Sequence, residues 1–99
     1  MATAVVNNAD QSAVVGLPSP HSARTASGMT LTIVGATVTG QIIVDLVVNG
    51  SLLLICCIPS GQTTNTCASS GTEPADSVIA LKVISQGTSA NYNLLYSGR

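Results

Sequence analysis

The chain of 99 residues is 45% hydrophobic and 7% charged, with a formal net charge of −1 at pH 7. Its length supports one domain with a single core, and its hydrophobicity and low charge argue against a disordered chain. Three Lys and Arg residues are too few to neutralise the several phosphates that a nucleic-acid site contacts, so no nucleic-acid partner is expected.

The first 28 residues predict an extended N-terminal arm or edge strand, ahead of a β-sandwich domain over residues 29–99. Pro18 and Pro20 fix their own backbone dihedral and favour extended geometry in the residues before them. The opening segment lacks the positive start and apolar core of a secretory signal. No apolar stretch reaches the roughly 20 residues that span a bilayer. We therefore expect no membrane partner and synthesis in the cytoplasm.

The strongest local pattern predicts a β-hairpin over residues 41–58. Two apolar runs flank Asn49-Gly50, the pair that most readily adopts the positive φ angles of a two-residue type I′ turn. We expect one side of this hairpin to face the core. With a two-residue loop, that side pairs Val48 with Ser51, Leu46 with Leu53, Val44 with Ile55, and Ile42 with Cys57.

The opposite side of the predicted hairpin is apolar as well, and it carries Asp45 among Val, Ile and Leu. A small core without Phe or Trp is marginal on its own, and an apolar outer face is unfavourable in water. We therefore expect a cyclic oligomer with a subunit interface that contains Ile43, Asp45, Val47, Leu52 and Leu54. The Asp45 carboxylate either faces solvent or pairs with Lys82, Arg24 or Arg99, in its own subunit or in a neighbour.

The rest of the chain predicts further short strands between turns. Residues 29–33 alternate with a period of two, and a short polar strand is expected between the turns at 60–61 and 69–76. Strands follow over 77–85 and 90–97, with Ile79, Leu81 and Val83 on one face of the first and Tyr92, Leu94 and Tyr96 on one face of the second. About six to eight strands with no helical period predict an all-β fold, an antiparallel β-sandwich or jelly roll.

Cys56, Cys57 and Cys67 are the candidates for covalent chemistry. Neighbouring strand residues point to opposite faces, so one of Cys56 and Cys57 shares a face with Cys67. Cys56 and Cys67 are the candidate disulfide pair, and three buried thiols are the alternative. The spacing fits no zinc site, because four ligands in a pattern such as Cys-x-x-Cys are missing.

Catalysis finds little support in the sequence, and neither a cofactor nor a metal is expected. His21 lies among small polar residues and no Gly-x-Ser-x-Gly elbow accompanies it, so a hydrolase that uses His21 is the weakest hypothesis. Tyr92 and Tyr96 are the aromatic residues of the chain. They form either a sugar-binding platform or part of the core or of an interface.

Several segments of the C-terminal 60 residues together form a pattern that can be compared with known protein families. They are Val47-Val48-Asn49-Gly50, Cys56-Cys57-Ile58-Pro59-Ser60-Gly61 with Cys67 beyond it, and Asp76-Ser77-Val78-Ile79-Ala80-Leu81-Lys82-Val83. This pattern resembles small β-sandwich modules of phage virions, namely capsid decoration (cement) proteins and the heads of fibres. The doubled cysteine departs from the pattern and leaves the partner of Cys67 open.

The resemblance implies a jelly-roll-like homotrimer on the capsid surface of a virion, with no enzymatic activity. The implied partners are the major capsid protein and further copies of the chain, and the implied role is to stabilise the shell. The N-terminal arm would contact the shell through Val14, Val15, Leu17, Pro18 and Pro20. The alternative is a fibre-tip or lectin-like module that recognises a host surface glycan.

Overall fold

The fold consists of two antiparallel β-sheets packed face to face. The computed structural model describes residues 3–9, 13–35, 37–89 and 91–99, and this part of the chain contains eight strands and no helix. The strands are β1 (Thr3–Ala9), β2 (Val14–Leu17), β3 (Arg24–Val34), β4 (Ile42–Val48), β5 (Ser51–Ile58), β6 (Thr64–Glu73), β7 (Ile79–Ser85) and β8 (Tyr92–Gly98). The prediction of an all-β fold built from two antiparallel sheets is confirmed.

The strand order is nested about the β4–β5 hairpin. Sheet I has the order β1-β8-β3-β6, and sheet II has the order β2-β7-β4-β5. The first strand therefore pairs with the eighth, the second with the seventh, the third with the sixth and the fourth with the fifth. These pairs alternate between the two sheets, so the chain resembles one long hairpin folded over itself.

The tip of the hairpin is the predicted turn, but the predicted register holds for two pairs of residues only. Asn49 and Gly50 have φ angles of 51° and 82°, and Val48 pairs with Ser51. A β-bulge then inserts one extra residue, Leu53, into β5. Beyond the bulge the predicted pairs are wrong. The observed pairs are Leu46 with Leu54, Val44 with Cys56 and Ile42 with Ile58.

This bulge exchanges the two faces of β5. Leu54, Cys56 and Ile58 are buried in the core, whereas Ile55 is exposed. Because side chains alternate along a strand, one extra residue moves every later side chain to the other face. The predicted core positions of Ile55 and Cys57 are therefore wrong.

The predicted domain boundary between residues 28 and 29 falls inside β3. The pairing of β3 with β6 is irregular between Ala26 and Gly28, and Gly28 has a φ of 134°. Ala26 lies in the core on one side of this irregularity, and Met29 and Leu31 lie in the core on the other. The alternation changes phase there, which explains why a period of two is visible in the sequence only from Met29 onward.

As far as Leu17, the strands of the predicted arm are edge strands, whereas its last residues belong to β3, an internal strand of sheet I. β1 pairs with β8 at one edge of sheet I, and β2 pairs with β7 at one edge of sheet II. β6 is also longer than predicted, since it extends through the predicted turn at 69–76 as far as Glu73. Thr is favoured in strands, and cross-strand Thr–Thr hydrogen bonds support this pairing, at 3.0 Å for Thr30–Thr66 and 3.2 Å for Thr32–Thr64.

The core lies between the two sheets, and a disulfide links one sheet to the other. Its largest fully buried side chains include Tyr92, Met29, Leu31 and Ile42. A disulfide joins Cys56 of β5 to Cys67 of β6 and thus ties sheet II to sheet I, while Cys57 carries a free thiol.

Candidate functional site

The outer face of sheet II collects most of the residues predicted as a subunit interface. Strand register aligns its side chains in rows that cross all four strands. One row is Gly16, Ala80, Val47 and Leu52, and the next is Val14, Lys82, Asp45 and Ile55. A third, shorter row holds Ser85, Ile43 and Cys57.

The two outer strands of this face expose large apolar side chains. Val14 is 61% exposed, Leu52 53% and Ile55 56%. Leu52 and Ile55 lie on β5 at one edge of the sheet, and Val14 lies on β2 at the other. Between these edges Val47 is buried and Ala80 half-buried, and Asp45 and Lys82 carry charge. Exposed apolar side chains on one face are typical of an interaction site.

Leu54 does not belong to this face. It is 4% exposed and lies in the core, because the bulge at Leu53 turns it inward. Ile55 occupies the outward position that the prediction assigned to Leu54, directly opposite Asp45. Ile43, Asp45, Val47 and Leu52 do share the outer face.

Asp45 lies at the centre of the face, opposite Lys82 of β7. Asp45 is half-buried and Lys82 exposed. Within the described residues an ion pair forms between Arg24 and Glu73, but none joins Asp45 to a basic side chain. Of the three basic residues proposed as partners of Asp45, Lys82 is the one on an adjacent strand.

A second candidate site is a pocket at one end of the sandwich, where the chain crosses between the sheets. Its volume is about 210 Å³, its apolar lining is Leu17, Pro18, Pro20 and Ile79, and its polar lining is Ser19, Arg24, Glu73 and Tyr96. Arg24 Nη1 donates a hydrogen bond of 2.7 Å to Glu73 Oε1. Burial and the Glu73 carboxylate raise the pKa of Tyr96 above its ordinary value, and Arg24 partly opposes this.

The predicted shell-contacting residues divide between the two sites. Val14 is on the outer face of sheet II, and Val15 is half-buried against the core. Leu17, Pro18 and Pro20 line the end pocket. No local pattern indicated the Arg24–Glu73 pair, because its members lie 49 positions apart and only the β3–β6 register brings them together.

The two tyrosines and His21 differ in their exposure. Tyr92 and Tyr96 are 2% and 5% exposed, so of the two alternatives both rings belong to the core and neither forms a surface platform for sugar stacking. His21 is exposed in the connection between β2 and β3. The described residues contain no group of three or more His, Cys, Asp or Glu side chains that could hold a metal ion.

Comparisons with protein-family models, with curated proteins and with solved structures find no match to this chain. In the described part of the chain there is no helix of the length and hydropathy needed to cross a bilayer. The observed geometry defines a class, a small disulfide-linked sandwich with two four-stranded sheets, an outer face of sheet II that exposes apolar side chains at its two edges, and an end pocket.

Proposed function

We propose that this chain is a structural protein of a phage virion, an oligomer that binds the outside of the capsid and stabilises the shell. The observation that carries the proposal is the apolar outer face of sheet II, on which Val14, Leu52 and Ile55 are exposed. Covering a half-exposed side chain of this size contributes roughly 1 kcal/mol. In an oligomer or on a shell, this face would be covered by a neighbouring protein.

The strand order supports a jelly roll. Eight strands that pair first with eighth, second with seventh, third with sixth and fourth with fifth, divided between two sheets, are the pairing that a jelly roll would require. Jelly rolls occur in viral capsid proteins and in lectins. The fold alone is a weak guide to function, so the proposal depends on the outer face.

The two outer faces of the sandwich differ in their charges. Sheet I presents the hydrogen-bonded hydroxyl groups of Thr30 with Thr66 and of Thr32 with Thr64, and it also exposes Val5, Val34 and Leu95. Sheet II combines exposed apolar side chains with Asp45 and Lys82, which are cross-strand neighbours. Contacts between copies would use sheet II, and contact with the major capsid protein would use the end that carries the exposed Pro18.

The mechanism is mass action. A protein that binds the intact shell but not the broken one stabilises the intact shell by its binding free energy, and many copies on one lattice add their effects. No catalytic residue is required.

The proposal is tested by mass spectrometry of phage particles that are purified on a density gradient from cells producing this chain. We expect this chain in the particle fraction, in a fixed ratio to the major capsid protein that survives repeated gradients. Its confinement to the soluble fraction would contradict the proposal.

The end pocket favours a second candidate function, a lectin-like module that binds a host glycan. Paired Arg and Glu side chains beside apolar walls suit the hydroxyl groups and the C–H face of a sugar. A glycan array would then show binding that Arg24→Gln removes and His21→Ala, a change at the nearby exposed histidine, leaves intact. Circular dichroism would verify that both variants keep the β-fold.

A further inference from the structure

We infer that the outer face of sheet II binds the same face of a second copy of this chain. The two copies are related by a two-fold axis that lies between the two faces, parallel to the strands and above the line midway between β4 and β7. This inference rests on the oligomer of the proposed function and names its partner and geometry. β7 and β4 are the two central strands of sheet II, with β2 and β5 outside them. The axis therefore places β7 on β4 of the second copy, and β2 on β5. Every contact then occurs twice.

The two charges of the face favour this axis. Asp45 and Lys82 are cross-strand neighbours on β4 and β7, so the axis lies above the midpoint between these two residues. Rotation by 180° brings Asp45 of each copy over Lys82 of the other, and two ion pairs form at the centre of the interface. A carboxylate buried among apolar side chains is costly unless it is paired. Lys82 of the second copy adds a cation to the one that Lys82 of the same chain carries on the adjacent strand.

Side-chain sizes along the first row favour the same axis. The row runs Gly16, Ala80, Val47, Leu52 across the four strands, with small residues on one half and large residues on the other. Of the two large residues, Leu52 is exposed and Val47 is buried among its neighbours. The rotation places Leu52 over Gly16 and Val47 over Ala80. Large side chains over small ones let two sheets approach to the usual spacing of about 10 Å without voids.

The second row adds an apolar contact on each side of the charges. Its outer members are Val14 on β2 and Ile55 on β5, and both are exposed in the single chain. The axis brings Val14 of one copy over Ile55 of the other. The arrangement belongs to the aligned class of sheet packing, in which strand directions stay within about 30°.

A three-fold arrangement does not fit this face equally well. A three-fold ring joins two different patches of each subunit, whereas a two-fold axis joins a patch to itself. Here the acidic and basic residues, and the large and small residues, lie on the two halves of one face. The pattern therefore favours a pair over the trimer that the resemblance to decoration proteins implies.

Variants that reverse the charge of Asp45 or of Lys82 test the inference. Light scattering after size-exclusion chromatography should give the mass of two copies for the wild type. Asp45→Lys and Lys82→Asp should each raise the dissociation constant of the dimer by about a hundredfold, because each places like charges across the axis. An equimolar mixture of the two variants should restore a dimer, since every Lys then faces an Asp. The double variant D45K/K82D should dimerise alone.

Thr66→Lys, on the outer face of sheet I, is the matched control and should leave the dimer unchanged. Circular dichroism should show the same β-signal for all variants, and rescue in the mixture excludes misfolding as the cause. A monomeric or trimeric wild type, single variants that still dimerise, or a mixture that stays monomeric would each overturn the inference. A wild-type dimer that is absent from purified virions would overturn the proposed function and leave the inference standing.

Discussion

Gly28 occupies a position in β3 that no other residue can take without strain. Its φ of 134° lies in a region that L side chains rarely adopt. A Cβ at this position would also collide with the carbonyl oxygen of Cys67 on β6. The same glycine lies where the alternation of β3 changes phase, so it sets which residues of that strand enter the core.

Gly28→Ala should destabilise the fold by about 3 kcal/mol or more, because backbone strain and a main-chain collision add. Urea unfolding followed by circular dichroism measures this. Gly61→Ala separates the two causes, since Gly61 has a φ of 85° but open space around its Cα. That variant should lose about 1 kcal/mol from strain alone. Equal losses in the two variants would show that the collision contributes nothing.

Tyr96 should make stability fall at alkaline pH. Its pKa is raised by burial first and by Glu73 second, against the opposing effect of Arg24. An unfolded tyrosine releases its proton near pH 10, while the folded one retains it, so the folded state binds more protons above that pH. Stability is then full below pH 10 and is lost as the pH rises toward the pKa of the folded state.

Unfolding free energies of the wild type and of Tyr96→Phe, measured in urea between pH 7 and pH 11, test this expectation. The difference between the two proteins should stay constant up to pH 9 and then change in favour of the phenylalanine variant. Parallel curves over the whole range would exclude Tyr96 as the source of any alkaline loss.

At the scale of elements, the β-bulge at Leu53 decides which face of β5 is buried. Val47 and Val48 keep the register that the turn imposes, and the pairs from Leu46 onward are displaced by one residue on β5. Leu53 is half-buried and packs over Gly71 of the facing sheet. The bulge thus serves a contact between the sheets.

Shortening the run Leu52–Leu54 by one leucine should be tolerated. The deletion removes the extra residue, leaves every pair from Leu46 to Ile42 in its observed register, and loses the packing of one half-buried leucine, about 1 to 2 kcal/mol. The matched control removes one valine from Val47-Val48. This control turns Asp45 toward the core and should abolish folding. Unfolding in urea compares the two, and equal losses would contradict the assignment of the bulge.

These elements also show how far the sequence alone could be interpreted. Asn49-Gly50 acts locally, through the φ angles of two residues, and its turn was predictable. The bulge depends on Gly71, a residue of the other sheet, and three consecutive leucines carry no mark of where it lies. The Arg24–Glu73 pair needs the register of β3 on β6, which no local pattern specifies. Long-range pairing was the missing information in both cases.

For the whole molecule, the disulfide between Cys56 and Cys67 is the covalent link between sheets whose pairing is mostly long-range. The two cysteines are 11 residues apart. In the chain-entropy description, a loop of this length contributes about 3 kcal/mol by restricting the unfolded chain. Such a contribution is large for a small core built without Phe or Trp.

Reduction should therefore lower the free energy of unfolding by about 3 kcal/mol. Urea unfolding of Cys57→Ser, with and without dithiothreitol, measures this without interference from the free thiol. A variant with serine at all three cysteine positions has no disulfide to reduce, so its stability should be the same with and without dithiothreitol. An unchanged midpoint on reduction would show that the unfolded chain is already restricted in this region.

The nesting of strands about the β4–β5 hairpin also favours a particular order in which the strands pair during folding. The hairpin pairs residues that are close in sequence, whereas β1 with β8 joins the two ends of the described chain, and long loops close slowly. Folding is thus expected to spread outward from Asn49-Gly50, one strand pair at a time and in alternate sheets. On the ribosome, β3 can pair with β6 early, whereas β1 must wait for β8, so sheet I is complete only when synthesis has reached Gly98.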